Sequence, residues 1–311
     1  MHDLICFGEI TRDTIGSAAV APVAGSASIL DGLSTSYGGR AANVATFFAL
    51  QAGGAALVSA AGEDFVESGH RDSMESRGVD CSQVLIETGR PTPQAFMFHT
   101  GEASQTYFFR AEDAAADAAF AAHVRSVAAG CRARCLYCTS GHQELNLHLL
   151  THLASELKVY APGQQVFHYP AAELVPFLDA CDTLFLNAAE AEYLYRTMAL
   201  DAAALDATYR LRFHVVTRGR NGCTMYTGSR RHDLPGCPST RDVDPTGAGD
   251  AFAGTFLAEY LRTGDLVAAG ALAAVVASFI VEQRGCQEGL PAADAVRRRL
   301  EEYTAGVRSG S

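Results

Sequence analysis

The chain of 311 residues is long enough for one large α/β domain or two smaller ones. Its 48% hydrophobic and 19% charged residues are typical of a globular protein with ample core material. The net charge of −11 argues against nucleic acid as a partner, because nucleic-acid binding requires a basic surface, whereas helix N-termini still bind small anions locally.

The N-terminal segment MHDLICFGEITRD has no basic region and no cleavage site, so we expect a first strand at LICFG, 4–8, and no signal peptide. The longest apolar run, 271–281, is shorter than the ~20 residues of a membrane-spanning helix. Nine scattered cysteines, an odd number, favour reduced thiols over a disulfide framework. We therefore expect a cytoplasmic protein without a membrane partner.

Strands and helices alternate along most of the chain. Apolar periodicity, caps and glycines predict helices at 41–54 and 64–78, from about Glu144 to Lys158, and after Asn187, Gly249 and Leu266. Short apolar runs predict strands at 56–60 and in RCLYCT, QVFHY, DTLFLN and HVVTRG. This order predicts a mostly parallel sheet with helices on both faces and ligands at the carboxyl ends of its strands.

Two segments, approximately 14–37 and 83–110, lack the helical period and have a β-like pattern with a hairpin signal in the second. We expect them to form a small β-sheet lid inserted into one domain that spans 1–311. The alternative is that they are antiparallel edge strands of the main sheet.

The cysteine cluster CRARCLYC, 131–138, has no second Cys/His pair nearby, and Cys135 and Cys138 should face opposite sides of a strand. His148 and His152 lie one helical turn apart, but the neighbouring Leu149 stands where a zinc protease needs Glu. Neither pattern predicts a metal site.

DPTGAGD, 244–250, precedes an apolar run with helical spacing. Gly247 and Gly249 allow close backbone approach, and their N–H groups, with that of Ala248, can bind an anion at the helix N-terminus. Asp250 is then either a carboxylate that complements the helix dipole or a general base beside a phosphate. No P-loop and no GxGxxG motif occurs in the chain, so the sequence gives no support to a dehydrogenase or P-loop ATPase.

Other motifs contain polar residues suited to a substrate or a nucleotide. Asp13 and Asn43, the latter in YGGRAANVA, are suited to sugar hydroxyls. Asn187 and Glu190 are spaced either for Mg²⁺ with its oxygen ligands or for a capping box at a helix start. VVTRGRNG, 215–222, ends a strand in a glycine loop with Arg218, a candidate for nucleotide phosphates.

GGRAAN, NxxE, VTxGxxG and DPTGAGD, in this order and at these separations, resemble the motifs of the ribokinase-like (PfkB) family of carbohydrate and nucleoside kinases. The resemblance covers about residues 4–300. GEDF, TPQAF, SGHQELNL, PGQ and ASFIVEQRGCQEGLP resemble the archaeal-type nucleoside kinases within it.

The resemblance implies a ribokinase-like three-layer sandwich with a β-sheet lid and the phosphorylation of a nucleoside or sugar hydroxyl by ATP with Mg²⁺. It implies Asp250 as catalytic base beside the anion hole, and Asn187 and Glu190 as the magnesium motif. Asp244 is a candidate ligand of a monovalent cation such as K⁺. The implied substrate contacts are Asp13, Gly38, Gly39, Asn43, Gln94 and Phe96. The implied nucleotide contacts are Asn187, Thr217, Arg218, Gly219, Gly222, Thr246 and Gly285.

The sequence departs from this pattern at Ala41 and Ala42, where many members have glycine, at Ala161, where an Asp is expected, and at Glu288-Gly289. Phe96, Phe98 and Phe109 are candidates for stacking on a nucleobase or for filling the lid's own core. A sugar kinase and a binding protein without catalysis are the alternative functions. A paired lid edge would also allow a homodimer.

Overall fold

The computed structural model describes residues 1–20, 27–100, 103–110, 114–288 and 290–309. Parts of both predicted lid segments, 21–26 and 101–102, lie outside these ranges, as does Gly289. The strands are β1 His2–Phe7, β2 Thr11–Ala18, β3 Gly32–Gly38, β4 Ala55–Gly62, β5 Val79–Asp80, β6 Val84–Glu87, β7 Gln94–Thr100, β8 Ala103–Phe109, β9 Arg132–Thr139, β10 Ala154–Ala161, β11 Thr183–Asn187, β12 Phe213–Thr217, β13 Cys223–Thr227 and β14 Arg230–Leu234.

The helices are α1 Arg40–Ala52, α2 Asp64–Glu67, α3 His70–Glu75, α4 Ala114–Gly130, α5 Gln143–His152, α6 Ala171–Ala180, α7 Ala188–Met198, α8 Ala202–Tyr209, α9 Ala248–Thr263, α10 Leu266–Val281 and α11 Ala293–Ser309. Two 3₁₀ helices lie at Gly163–His168 and Gly219–Asn221. None of the helices in the described ranges combines the length and the apolarity that crossing a membrane requires.

In the described part of the chain, ten strands form a large sheet in the order β14-β13-β12-β11-β10-β9-β1-β4-β5, with β6 beside the end of β4. All pairs are parallel except those of β13 with β12 and β14. A separate four-stranded sheet has the order β3-β2-β7-β8. The expected mixed α/β fold with a smaller second sheet is confirmed.

One apolar cluster lies on each face of the large sheet, and alternate residues of β9 contribute to each. Cys135 and Tyr137 belong to the cluster packed against α1, α9 and α10, whereas Leu136 and Cys138 belong to the cluster beneath α4 to α7. The expectation that Cys135 and Cys138 face opposite sides is confirmed, as the period of two in a strand requires.

Three local predictions differ from the structure. The helix predicted over 64–78 is divided into α2 and α3 by Gly69, which has a φ of 80°. The helix predicted to continue to Lys158 ends at His152, because residues 154–161 pair with β9 and β11 as β10. QVFHY is therefore not a strand, and it follows β10 mostly as a 3₁₀ helix. Tertiary pairing therefore overrides the local helical pattern at residues 154–161.

The small sheet uses most of the two segments predicted as a lid, but not all of the second. Residues 84–87 form β6, which pairs with β4 of the large sheet. The small sheet begins at Thr11, before the predicted start of the first segment, because β2 continues directly from the loop after β1.

Candidate active site

Asp250 lies in the first turn of α9, behind the backbone of Gly247, Ala248 and Gly249. Gly247 is the N-cap and has a φ of 77°. A Cβ at this position would lie 2.2 Å from the Cys286 sulfur, so both the conformation and the packing require glycine. A Cβ at Gly249 would contact nothing within 4 Å, so this residue leaves the N-terminus of the helix open.

The carboxylate of Asp250 is buried, and among the described residues it has two side-chain partners, both from α1. Asn43 Nδ2 donates a hydrogen bond of 2.9 Å to Asp250 Oδ2, and Arg40 Nε lies 3.5 Å from Oδ1. Burial raises the pKa of Asp250, while Arg40 and Asn43 act in the opposite direction. These two contacts favour the ionised form, which a proton acceptor requires.

Arg40 is a residue of the site that the sequence interpretation missed. Its side chain is 35% exposed beside the nearly buried Asp250. A Cβ on Gly163, in PGQ, would lie 1.6 Å from Arg40 Nη1, so the guanidinium crosses the chain where only glycine leaves room. The sequence contains both motifs, GGRAAN with Arg40 and PGQ with Gly163, but it does not show that the two residues meet in the folded chain.

Asp13 lies at the start of the small sheet and is also buried. Thr11 Oγ1 donates a hydrogen bond of 2.5 Å to Asp13 Oδ1. Burial raises its pKa to about 6, the Thr11 hydrogen bond opposes this, and the negative charges of Asp250 and Asp244 add to it. A Cβ on Gly38 would lie 2.0 Å from Asp13 Oδ2, which explains the glycine at this position.

α1 begins at the second glycine of the YGGRAAN motif. Gly39 has a φ of 100°, and a Cβ there would lie 2.4 Å from the carbonyl oxygen of Glu9. This close approach places Arg40 and Asn43 on the first turn, where both reach Asp250. Asn43 Oδ1 accepts a hydrogen bond of 2.9 Å from Gln287 Nε2, another residue that the sequence interpretation did not identify.

Asp244 joins the two loops that flank the start of α9. Its Oδ1 accepts a hydrogen bond of 2.9 Å from the Thr246 N–H, and its Oδ2 accepts one of 3.3 Å from the Gly285 N–H. His99 Nε2 lies 3.9 Å from Oδ1. Gly285 has a φ of 76°. These hydrogen bonds bring Asp244, Thr246 and Gly285 together.

Asn187 and Glu190 form a capping box at the start of α7. Asn187 Oδ1 accepts from the Glu190 N–H at 2.9 Å, and Glu190 Oε2 accepts from the Asn187 N–H at 2.9 Å. Asn187 is aligned with Thr217 on the neighbouring strand, so both lie at the carboxyl edge of the sheet. Burial lowers the pKa of Arg40, but the negative charge of Asp250, with smaller contributions that include Glu190, raises it overall.

Arg218, in contrast, is turned towards the antiparallel end of the large sheet. Its guanidinium donates to Asp233 Oδ1 at 3.0 Å, to the Cys223 carbonyl at 3.2 Å and to the Thr224 hydroxyl. The glycines on either side of the following turn, Gly219 and Gly222, have φ values of 55° and 87°. The predicted glycine turn is therefore present, but the Arg218 side chain, the candidate for nucleotide phosphates, is held by partners of its own.

The small sheet presents different residues on its two faces. Asp13 is aligned with Ala95 and Ala95 with Phe108, so these three side chains share the inner face. Thr246 Oγ1 lies 3.7 Å from the sulfur of Met97, which is on this inner face too. Gln94 and Phe96 alternate with Ala95 and Met97, so they lie on the opposite face from Asp13.

This alternation changes the set of aromatic candidates. Phe98 and Phe109 share the outer face with Phe96, since Phe109 is aligned with Gln94. Phe108 is on the inner face and is 66% exposed. Sequence inspection did not identify Phe108, because its face depends on the register between β7 and β8.

Comparisons with known proteins identify the family to which the chain is similar. The model of the pfkB family of carbohydrate kinases matches residues 1–293. The nucleoside kinase of Methanothermobacter thermautotrophicus is 30% identical over 310 residues, covering 96% of this chain and 95% of that one. The nucleoside kinase of Methanocaldococcus jannaschii is 27% identical over 305 residues, covering 97% and 98%.

Solved structures extend the same likeness to the fold. The crystal structure of the Methanocaldococcus jannaschii nucleoside kinase, an archaeal member of the ribokinase family, has a TM-score of 0.84 and covers 97% of this chain and 99% of its own. The Burkholderia thailandensis nucleoside kinase in complex with inosine has a TM-score of 0.83 at 20% identity, covering 97% of this chain and 98% of that one.

Proposed function

The chain belongs to the pfkB family of carbohydrate kinases, and on that premise we propose that it transfers a phosphoryl group from ATP to a hydroxyl group of a nucleoside. It is a kinase of the nucleoside or sugar type, with ATP as the phosphate donor that the family implies. The observation that carries the nucleoside assignment is the likeness, over nearly the whole of each chain, to two archaeal nucleoside kinases.

Asp250 is the group that accepts the proton of the attacking hydroxyl. It is buried at the N-terminus of α9 and contacts Arg40 and Asn43, both of which favour its ionised form. Burial raises the pKa of Asp250 while these two contacts oppose the rise, and a carboxylate with a raised pKa is a stronger proton acceptor, as a general base requires. Asp13 and Asn43 place polar atoms nearby that suit the hydroxyl groups of a ribose.

The backbone N–H groups from Gly247 to Gly249 supply the anion hole. They lie at the start of a 16-residue helix, where the helix dipole favours negative charge. The Ala248 N–H donates to the Pro245 carbonyl oxygen at 3.2 Å, so it must share or exchange this bond to bind a phosphate oxygen. Arg40 adds a positive charge next to Asp250 and replaces Arg218 as the cation of the reacting centre. Phosphoryl transfer depends mainly on such positioning and charge stabilisation.

Asn187 and Glu190 are suited to magnesium held through water or phosphate, because they present amide and carboxylate oxygens at the carboxyl edge of the sheet. Magnesium, when bound with ATP, neutralises phosphate charge. The same two residues form the capping box at the start of α7, so we assign to this pair both the helix-capping role and the magnesium role. Asp244 is the candidate for K⁺, although backbone N–H groups already bind both its oxygens.

Inosine bound to the Burkholderia thailandensis enzyme supports a nucleoside-sized cleft in this fold. A sugar kinase is the second candidate, because the maize fructokinase-1 is 25% identical over 83% of this chain. A binding protein without catalysis is disfavoured by the buried, hydrogen-bonded Asp250. A homodimer through the edge of the small sheet and a cytoplasmic location are also proposed, with the oligomer testable by analytical ultracentrifugation.

The experiment that tests the function is ADP release with Mg-ATP over a panel of nucleosides and free sugars, with Asp250→Asn alongside. We expect turnover on nucleosides and a fall in kcat of roughly 10²-fold or more in the variant, the low end of general-base effects, with ATP binding retained. Turnover on sugars alone would replace the nucleoside assignment. An Asp250→Asn protein with normal kcat would refute the base assignment.

A further inference from the structure

The side-chain amide of Asn43 is hydrogen-bonded to a second buried amide, that of Gln287. Gln287, fully buried in the loop after α10, donates from Nε2 to Asn43 Oδ1 at 2.9 Å. Asn43 in turn donates from Nδ2 to Asp250 Oδ2 at 2.9 Å. The two amides and the carboxylate form a chain of hydrogen bonds that leads away from the reacting centre.

The carboxylate determines the direction of every bond in this chain. An ionised Asp250 can only accept, so Asn43 must turn its NH₂ group towards it and its oxygen towards Gln287. Gln287 must then turn its own NH₂ group towards Asn43, which leaves Gln287 Oε1 facing the far side. Within the described residues, Oε1 is buried and has no hydrogen-bond partner. A buried acceptor of this kind requires a donor.

His70 is the neighbour that can supply this donor. Its imidazole is buried, and its Nε2 also has no hydrogen-bond partner among the described residues. Burial lowers its pKa to about 4, the Gln287 side chain acts against that shift, and the positive charge of Arg77 adds to it. The ring is therefore neutral at physiological pH, and a neutral imidazole carries one N–H that can donate from Nε2.

The surroundings of His70 fix the plane of its ring. Tyr37 of β3 stacks on it, with centroids 4.3 Å apart and planes 5° apart, and Phe65 packs edge-on at 5.1 Å. Gln287 is anchored separately, since Arg77 Nη2 donates to its carbonyl oxygen at 3.1 Å. His70 and Gln287 are thus each held in place by contacts with other residues.

We propose that His70 and Gln287 are positioning residues that fix the orientation of the Asn43 amide, and through it the hydrogen bond to the catalytic base. The inference rests on the proposed function only for the role of Asp250. If the amide of Asn43 turned over, its oxygen would face the Asp250 carboxylate, and the contact would change from attraction to repulsion. The chain of donors from His70 prevents this reversal.

The test compares wild type with Gln287→Met, which keeps the volume but removes donor and acceptor. Because the Asn43 hydrogen bond lowers the pKa of Asp250, its weakening should move the acid limb of the kcat–pH profile to higher pH. We expect kcat to fall roughly 10- to 100-fold, the upper figure being typical of a misplaced catalytic group, with KM for ATP unchanged. The variant leaves unchanged the other titratable or charged groups that interact electrostatically with Asp250, which are Arg40, Asp13, Cys6, Tyr137 and Cys286.

A matched pair at position 70 protects the test against misfolding. His70→Phe keeps the ring and loses the donor, whereas His70→Gln keeps a donor near the position of Nε2. We expect the acid limb to shift in His70→Phe and to return towards wild type in His70→Gln. Equal profiles in these two variants, or a wild-type profile in Gln287→Met, would overturn the proposal.

Titration of the Asp250 carboxyl carbon by NMR separates this proposal from the proposed function. The measurement needs no turnover, so it applies even if the wild-type protein phosphorylates nothing in the panel. A higher Asp250 pKa in His70→Phe than in His70→Gln supports the positioning chain. The same pKa in both, with both proteins folded by thermal unfolding, refutes it.

Discussion

The carboxyl edge of the large sheet and the small sheet contact each other through Thr246 and Met97, but they hold their side chains in different ways. At the edge, Asp250, Asn43 and Gln287 are buried and joined by hydrogen bonds. On the outer strand of the small sheet, Phe108 and Phe109 are 66% and 49% exposed. We propose that the buried residues at the edge position the reacting groups and that the exposed residues of the small sheet contact the substrate.

The comparison is tested first at Arg40, where we expect the largest effect on kcat. Arg40→Met removes the main group that keeps the pKa of Asp250 down and the cation nearest to it. We expect kcat to fall by about 10²-fold, as for the loss of one group that stabilises the transition state. Steady-state kinetics with saturating ATP and nucleoside measures it.

Arg218→Met is the matched control, since the Arg218 guanidinium is bound by Asp233, Thr224 and Cys223. We expect its kcat to stay within about threefold of wild type, with a modest loss of stability from the exposed Arg218–Asp233 ion pair. Equal losses of kcat in both variants would show that the cation of the site was misassigned.

Substitution of Asp13 tests how much this buried carboxylate lowers the free energy of unfolding. Its pKa is raised from 3.8 to about 6, so the folded chain binds more protons than the unfolded chain between these values. The stability that Asp13 contributes is therefore lost as pH rises through this window. Asp13→Asn should raise the free energy of unfolding at pH 7.5 by up to about 3 kcal/mol, with little change at pH 4.

Urea unfolding at both pH values measures this prediction, and the nucleoside KM measured alongside should rise. A variant that is less stable than wild type at pH 7.5 would contradict it. Asp3→Asn is a suitable control, because Asp3 is an aspartate of the large sheet away from the site, paired with Arg134 at 3.2 Å.

The edge of the large sheet could be predicted from the sequence better than the small sheet. Gly39 and Gly247 each precede a helix and adopt positive φ, so the glycines in the motifs predicted the backbone directly. Arg40 and Gln287 were missed because their contacts join segments that are far apart in the chain. No local pattern encodes such contacts.

The faces of the small sheet could not be predicted from the same kind of pattern. A strand alternates with a period of two, but which residues face inwards depends on how neighbouring strands align. Phe96 is as aromatic as Phe108, and only the pairing of β2, β7 and β8 separates them. The capping box at Asn187 was recognised in the sequence, but spacing alone did not distinguish it from a magnesium motif.

Phe108→Ala tests whether the inner face of the small sheet contacts the substrate. Phe108 is two strands from Asp13 on this face, or about 10 Å at the usual strand spacing. Stacking on a base contributes about 1–3 kcal/mol, so we expect the nucleoside KM to rise by about tenfold. The ATP KM should not change.

Phe96→Ala is the control for this prediction, because Phe96 lies on the outer face. We expect its nucleoside KM to stay near the wild-type value in a dilute, monomeric preparation. A larger rise in Phe96→Ala than in Phe108→Ala would show that the outer face, not the inner one, contacts the substrate.

The smallest effect is expected at Asn187, where the cap and the magnesium role can be separated. Asn187→Ala removes the acceptor for the Glu190 N–H and should lower the free energy of unfolding by about 1 kcal/mol. Asn187→Ser keeps an N-cap hydroxyl, so its stability should remain near wild type, although it loses the 2.8 Å contact from Nδ2 to Glu190 Oε1. Thermal unfolding and the Mg²⁺ concentration for half-maximal rate measure the two roles. If Asn187→Ser needs no more Mg²⁺ than wild type, the Asn187 side chain acts only as a helix cap, and the magnesium role falls to Glu190 or to groups beyond this pair.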